Sequence, residues 1–244
     1  MDQPRDPPAP IDRDDAVIGH AGSAVRWQRL LGLLALVGVA AGTFAGLFVA
    51  PADSLQGEVQ RLLYVHVPTA WLGMLSFFVV FLMSTLYLVQ RELTWDLVAH
   101  ASAEVGVLCT AVTLILGSLW ARPTWGIWWE WDPRVTTTAI LLIIYVGYLI
   151  VRSMTEDPDQ RARGAAVIGV VAFVQVPIVY LSVFWWRSLH QPPSSPRSMA
   201  SSIGSVLLLN VVAYTIAFTY LVVRRYRLAR RELALELVGP EAER

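Results

Sequence analysis

Residues 69–90 read TAWLGMLSFFVVFLMSTLYLVQ, a run of 22 residues without a charged side chain. A transmembrane helix needs about 20 predominantly apolar residues to cross some 30 Å of hydrocarbon. Five further segments have a similar length and character, so six membrane spans are expected, at residues 30–50, 69–90, 97–120, 135–151, 164–186 and 201–223. This pattern predicts an all-α integral membrane protein with six transmembrane helices.

The composition agrees with this fold class and excludes several functions. Hydrophobic residues make up 55% of the 244 residues and charged residues only 16%, against about 25% charged residues in soluble domains. The six spans use most of the chain, which leaves no room for a separate catalytic domain. All 19 basic residues are arginine and the formal net charge is zero, so we expect no nucleic-acid partner.

The two ends of the chain differ from its middle. Residues 1–25 are rich in Pro, Asp and Ala and are expected to form a disordered cytoplasmic tail. The six-helix membrane domain follows at 26–223, and 224–244 form a cytoplasmic tail whose stretch 224–237 predicts an interfacial helix. The first apolar run, of about 21 residues, exceeds the 7–15 residues of a signal-peptide core, so we expect an uncleaved first helix.

The distribution of arginine predicts the orientation in the membrane. Fourteen arginines lie in the two tails and in the second-to-third and fourth-to-fifth loops, and five lie in the alternate loops. By the positive-inside rule both termini are cytoplasmic. The outer face then receives three connections: one before the second span with His66, a tryptophan-rich one between the third and fourth spans, and one after the fifth span with His190.

The connection between the third and fourth spans is the most unusual stretch of the chain. Residues 120–134 read WARPTWGIWWEWDPR, and the five tryptophans are Trp120, Trp125, Trp128, Trp129 and Trp131. With Trp71, Trp185 and Trp186, eight of the ten tryptophans lie at or near the outer face. Aromatic belts occur at both interfaces of a membrane protein. The distribution therefore favours a platform for a large flat ligand, with membrane anchoring as the alternative.

Local signals predict how this connection folds. Trp125, Trp128 and Trp129 have the i, i+3, i+4 spacing of one helix face. Pro123 and Gly126 argue against a long helix here, so we expect a short turn along the membrane surface.

Two prolines predict helix starts next to the candidate ligands. Asp132 is a preferred N-cap and Pro133 suits the first helical position, so the fourth helix is expected to begin there. Pro68 predicts the start of the second helix, which places His66 just ahead of that helix.

His66 and His190 are the candidate metal ligands. Either one alone is an ordinary hydrogen-bonded or solvated side chain, but two on one face beside the tryptophans indicate a shared ligand. A zinc site needs three or four N, S or O ligands, whereas haem supplies four nitrogens itself and needs one or two axial ligands. The flat apolar ring of haem also suits tryptophan. The residues therefore favour haem, with both histidines on the iron.

Haem would also need cations for its two propionates. Arginine pairs carboxylates bidentately, and Arg61, Arg122 and Arg134 all lie near the expected site, with Arg61 and Arg134 as first choices. The alternative for each is an arginine that sets topology or binds lipid headgroups. The single cysteine, Cys109, lies within the third span and the chain has no C-x-x-C-H motif, so any haem is held non-covalently.

Three blocks of the chain resemble a known family: PADSLQGEVQRLLYVHVP at 51–68, SLWARPTWGIWWEWDPRVT at 118–136 and VPIVYLSVFWWRSLHQ at 176–191. On these blocks the chain resembles the haem exporter protein C (CcmC) family of the cytochrome c maturation system, within the haem-handling superfamily marked by a tryptophan-rich WWD motif. The similarity runs from about residue 30 to 223. It implies that His66 and His190 are axial ligands of haem b and that residues 125–132, ending in Asp132, hold the macrocycle.

The resemblance also implies a function. Haem would bind transiently on the periplasmic face of the bacterial cytoplasmic (inner) membrane and be presented for covalent loading onto a membrane-anchored, CcmE-like haem chaperone. Further partners would be the CcmA-, CcmB- and CcmD-like subunits of an ABC transporter, together with the lipid bilayer. Such a protein binds and delivers haem, and whether it also assists bond formation as an enzyme is left open.

Three other functions remain as alternatives. The WDPR sequence at 131–134 is close to a form common in cytochrome c synthetases of the same superfamily, which usually have extra spans and a further histidine pair that this chain lacks. An electron-transfer cytochrome of b type usually carries its histidine pairs deep within helices, and a haem channel needs a polar path.

Glu104, one turn beyond His100 in the third span, is a weaker functional candidate as an intramembrane carboxylate.

Overall fold

The computed structural model describes residues 13–191 and 199–238, and these residues form helices and short connections. Six helical segments in them are long and apolar enough to cross a membrane: Arg26–Val49, Glu58–Gln90, Leu93–Trp125, Pro133–Ser153, Pro158–Trp185 and Ser201–Glu236. The predicted class and the predicted number of spans are therefore confirmed.

Seven α-helices make up these six segments. Helix α1 covers Arg13–Phe44 and continues into a π-helical turn at Ala45–Val49, and a 3₁₀ turn at Glu58–Leu62 leads into α2 at Leu63–Gln90. The remaining helices are α3 (Leu93–Trp125), α4 (Pro133–Ser153), α5 (Pro158–Ala172), α6 (Gln175–Trp185) and α7 (Ser201–Val238).

The fifth span is divided into α5 and α6 by a proline. Pro177 has no N–H to donate to the carbonyl of Phe173, and its ring clashes with the residue four positions earlier. The backbone tightens instead, since the N–H of Val176 donates to the Phe173 carbonyl at 2.9 Å. The break therefore lies where the sequence removes a helical hydrogen bond.

The core is formed mainly where α2 packs on α3 and α5, and residues of α4 complete it. A Cβ added to Gly106 of α3 would lie 2.7 Å from the Ser76 Cβ of α2, so a glycine is needed for this approach. Small residues commonly allow membrane helices to come this close. Phe77 of α2 stacks on Tyr145 of α4 with ring centroids 3.6 Å apart, and both rings are fully buried.

The two terminal segments differ from the sequence expectation. Helix α1 begins at Arg13, where a disordered tail over 1–25 was expected, and residues 1–12 lie outside the described residues. No proline occurs between residues 11 and 50, and Asp14 and Asp15 fall in the first helical turn, where acidic residues favour a helix. The composition of residues 1–25 alone did not predict this early helix start.

The C-terminal stretch continues α7 as one helix to Val238 instead of forming a separate interfacial helix. Residues 205–238 contain neither proline nor glycine, so nothing in the sequence interrupts the helix. Ion pairs join this extension to its neighbours: Arg225 pairs with Glu104 of α3 at 2.5 Å, and Arg161 of α5 pairs with Glu236 at 2.7 Å.

Helix α1 packs against α7, and α4 packs against α6. The alternation of the spans brings the end of α1, the start of α2, the end of α3, the start of α4 and the end of α6 to one end of the bundle. We refer to this as the site end, because His66, the tryptophan-rich connection and His190 all lie there.

Candidate functional site

His66 lies in the first turn of α2, which begins at Leu63. The predicted helix start at Pro68 is wrong, because the 3₁₀ turn at Glu58–Leu62 leads directly into α2 and Pro68 is the sixth residue of the helix. The proline removes only the hydrogen bond to the Tyr64 carbonyl, close to a helix end. His66 is therefore held on a rigid element instead of preceding it.

The imidazole of His66 is fixed by packing. Its ring meets the indole of Trp120 edge-on, with centroids 5.7 Å apart and an interplanar angle of 90°. On another side it contacts Gly117, where an added Cβ would lie 3.3 Å from the His66 Cε1 atom. Nδ1 is buried and has no hydrogen-bond partner.

Trp120 is itself held in place from the other side of the site. Its indole N–H donates to the Gln56 side-chain oxygen at 3.0 Å, which joins the end of α3 to the connection between α1 and α2. Neither Gln56 nor Gly117 was identified from the sequence. A glycine one turn before a tryptophan carries no signal by itself, and the glutamine contact spans 64 residues.

His190 lies on the connection after α6, of which residues 186–191 are described; we call this segment the histidine loop. The His190 Nδ1 lies 2.9 Å from the Gln191 carbonyl, a contact that favours the tautomer with the proton on Nδ1 and the lone pair on Nε2. Burial lowers the pKa of His190, the Gln191 carbonyl opposes this, and nearby Arg134 lowers the pKa further. The ring is therefore neutral at neutral pH, as a metal ligand must be.

His66 at the start of α2 and His190 on the histidine loop both lie at the site end. The structure thus places the two side chains that the sequence singled out at one end of the bundle, and their role as a ligand pair stays a prediction.

Asp132 joins the tryptophan-rich connection to the histidine loop. It caps α4 as predicted, because its side chain accepts from the Arg134 N–H at 2.8 Å and Pro133 follows at the first helical position. Its other oxygen accepts from the Ser188 hydroxyl and from the Leu189 N–H, each at 2.7 Å. Burial raises the pKa of Asp132, but these hydrogen bonds outweigh it and hold the pKa below its usual value.

The tryptophan loop, residues 126–132, starts later than expected. Helix α3 includes Pro123 and continues to Trp125, and Gly126 ends it with a left-handed φ of 83°. A proline in the last helical turn removes one hydrogen bond without ending the helix. Trp125 is therefore helical while Trp128 and Trp129 follow the glycine, so the three indoles do not share a helix face.

The indoles of the tryptophan loop are open to their surroundings. Trp131 is 77% exposed and Trp128 is 57% exposed, while Trp129 meets Trp131 edge-on at 5.7 Å. Trp125 is half-buried. Exposed indoles on one end of a membrane bundle present flat apolar surface with polar N–H groups, as a platform for a planar ligand requires.

The three candidate arginines differ in their contacts. Arg61 pairs with Glu58 and donates to the Ala50 carbonyl at 2.6 Å, so it caps the end of the first span. Arg122 donates to the carbonyl of Gly126. Arg134 donates from Nη2 to the Tyr180 carbonyl at 3.0 Å, and its buried Nε has no partner.

The polar residues at the opposite end form structural ion pairs. Glu104 bonds to Arg225 and lies 3.4 Å from His100, and Arg152 bonds Asp96 through two contacts of 2.5 and 2.6 Å. A cavity of about 150 Å³ lies beside His100 and Arg152. These contacts favour a structural explanation for Glu104 over the functional one.

The chain is similar to proteins of one family along most of its length. A family profile described as "Heme exporter protein C" matches residues 17–237. A relative named "Heme exporter protein C" from Bradyrhizobium diazoefficiens is 40% identical over 183 residues, which cover 75% of this chain and 70% of the relative. Proteins of the same name from Haemophilus influenzae (33% identical, covering 88% of this chain and 86% of the relative) and Escherichia coli strain K12 (31% identical, covering 81% of each) also match.

Proposed function

The chain belongs to the Heme exporter protein C family, and we propose that it binds haem as cargo at the site end and delivers it for cytochrome c maturation. One observation carries this proposal. Two histidines from separate elements, His66 of α2 and His190 of the histidine loop, lie at the end of the bundle that also carries the exposed indoles.

The histidines suit the iron of haem. Haem supplies four equatorial nitrogens and takes one or two axial ligands from the protein. The His190 Nδ1 contact with Gln191 leaves Nε2 as the ligand atom of that ring, and the buried Nδ1 of His66 has no hydrogen-bond partner. The iron of bound haem would accept an axial bond from each histidine, and the two side chains would fix the position of the iron.

The indoles would hold the macrocycle. Trp128 and Trp131 expose most of their surface, and covering an exposed large apolar side chain contributes about 1.5–3 kcal/mol. Trp120 would act differently, because its ring already packs against His66 and its N–H is bonded to Gln56. Trp120 would therefore orient the His66 ring and would not cover the haem.

Among the arginines, Arg134 is best placed for a propionate. Its Nε is buried without a partner, and a carboxylate beside it would satisfy that donor. Arg122 lies at the start of the tryptophan loop and is the second choice. Arg61 is already engaged by Glu58 and by two backbone carbonyls, so its propionate role is the weakest of the three.

The rest of the proposal concerns the form in which haem is held and the proteins to which it is delivered. The haem is haem b, held non-covalently and transiently, and the site end faces the periplasm from the bacterial inner membrane. The receiver is a membrane-anchored CcmE-like haem chaperone, and CcmA-, CcmB- and CcmD-like subunits of an ABC transporter complete the assembly. Whether the protein also assists the haem–chaperone bond would depend on positioning, which contributes most when reacting groups are held close. The similarity to Heme exporter protein C proteins does not favour the cytochrome c synthetase alternative.

The test is the visible spectrum of the purified protein with and without added haem, beside His66→Ala and His190→Ala. We expect a low-spin bis-histidine haem that each single change converts or abolishes. His100→Ala is the matched control, because this histidine lies at the opposite end beside Glu104, and it should leave the spectrum unchanged. Haem binding that survives both changes would move the ligands elsewhere, and no binding at all would leave the tryptophans as membrane anchors.

A further inference from the structure

We infer that Ser188 is a positioning residue and that Asp132 acts through it, so that the two together fix His190 for its role in haem ligation. This inference rests on the proposed function. It assigns Asp132 the support of a ligand in place of direct contact with haem, and it adds Ser188 to the site.

The carboxylate of Asp132 is fully used within the protein. One oxygen accepts from the Arg134 N–H, and the other accepts from the Ser188 hydroxyl and the Leu189 N–H. The residue is only 4% exposed. A buried carboxylate with three donors has little capacity left for a ligand, and it would repel the propionates of haem.

Ser188 passes this constraint to His190. Its hydroxyl donates to Asp132 at 2.7 Å, and its oxygen accepts from the backbone N–H of His190 at 3.1 Å. The backbone of His190 is thus two hydrogen bonds away from the carboxylate that ends the tryptophan loop. Ser188 and Asp132, which form the first of these bonds, are 56 residues apart in the sequence.

Within the described ranges, the histidine loop is held mainly by the Asp132 carboxylate. Helix α6 ends with the bond from the Trp186 N–H to the Ser182 carbonyl, and residues 187–191 make no backbone–backbone hydrogen bond within the described ranges. A loop without such bonds samples many conformations. The bonds from Ser188 and Leu189 to Asp132 therefore restrict the loop, and Ser188 extends this restraint to the backbone of His190.

Hydrogen bonds to a charged acceptor are stronger than neutral ones. Removing the Ser188 hydroxyl should lower the equilibrium constant for binding of His190 to the haem iron by about tenfold, which is the effect of losing one such bond. The expected spectrum is a mixture of low-spin and high-spin haem. Because the defect lies in the position of the ligand, added imidazole should restore the low-spin form.

The experiment compares Ser188→Ala, Ser188→Thr and Asp132→Asn in the full-length protein in detergent, loaded with haem. Ser188→Thr keeps the hydroxyl and should retain the wild-type spectrum. Asp132→Asn can still cap α4 but places an amide NH₂ where the second oxygen accepts two bonds, so it should weaken His190 ligation at least as much as Ser188→Ala. The controls are Asp157→Asn, at the N-cap of α5 with Pro158 after it, and Ser182→Ala, a buried serine that bonds only within its own helix.

The outcomes separate the two levels of the proposal. If the wild-type protein shows no histidine-ligated haem, the proposed function fails and this inference with it. If the wild type is ligated by both histidines but Ser188→Ala matches it, only the inference is overturned. Loss of haem that imidazole does not restore, with a lower melting temperature, would show that the bridge maintains the fold and does not position His190.

Discussion

Gly117 offers a direct test of how closely the site fits its ligand. It lies on α3 against the ring of His66, and a Cβ added there would stand 3.3 Å from the Cε1 atom, closer than ordinary contacts of 3.4–4 Å. Gly117→Ala should therefore shift the imidazole by a few tenths of an ångström. A misplacement of about 1 Å can cost roughly 100-fold in a well-oriented site, so we expect haem affinity to fall by about two- to fivefold.

Stability should change in the opposite direction. Alanine is favoured over glycine in a helix interior by about 1 kcal/mol, so Gly117→Ala should not lower the melting temperature. A bulkier change, Gly117→Val, should move the ring further and abolish the low-spin spectrum. Weaker ligation in a protein of equal or greater stability would identify a displaced ligand, since an unfolded site would lose both.

The measurement is haem titration followed by absorption, with thermal unfolding of the same samples. Gly147→Ala and Gly204→Ala are matched controls, because a Cβ at either position meets no atom within 4 Å. If Gly117→Val binds haem with the affinity and spectrum of these controls, the packing of His66 does not set the ligand position and the reasoning is refuted.

Two further predictions concern pH and the opposite end of the bundle. Burial lowers the pKa of His190 from 6.5, and only the neutral ring binds iron, so the low-spin spectrum should persist as pH falls through 6.5 and disappear only below it; loss centred at or above 6.5 in a spectral titration would contradict this. Asp96→Asn should lower the free energy of unfolding by about 3–5 kcal/mol, because it leaves the buried Arg152 unpaired, while haem binding is kept. Glu236→Gln, which breaks a more exposed pair, should cost at most about 1 kcal/mol, and equal melting temperatures for the two variants would count against the argument.

The sequence was sufficient for the features that depend on local pattern. Uncharged runs predicted the six spans, and Asp132 followed by Pro133 predicted the start of α4. The location of His66 and His190 at the same end of the bundle followed from the alternation of spans, because every second end of a span reaches the same side. None of these steps required knowledge of how the helices pack.

The rest depended on tertiary contacts. The bonds from Trp120 to Gln56 and from Ser188 to Asp132 link residues 64 and 56 positions apart, and no spacing rule connects them. Pro68 gave the wrong helix start, because the preceding 3₁₀ turn supplies the geometry that the proline alone was expected to begin. The hydrogen bonds from Arg61 to the end of the first span also could not be predicted from the position of Arg61 in the sequence.

The two histidines are held by unequal means, and this asymmetry bears on kinetics. His66 belongs to a long apolar helix and its ring packs against Trp120, whereas His190 sits on a short segment anchored by a single carboxylate. Loss of one axial bond should therefore precede loss of the other, and the segment with His190 should open first. Cargo departure would then be a stepwise event with a five-coordinate intermediate stage, whose lifetime is tuned by one side chain remote from the iron.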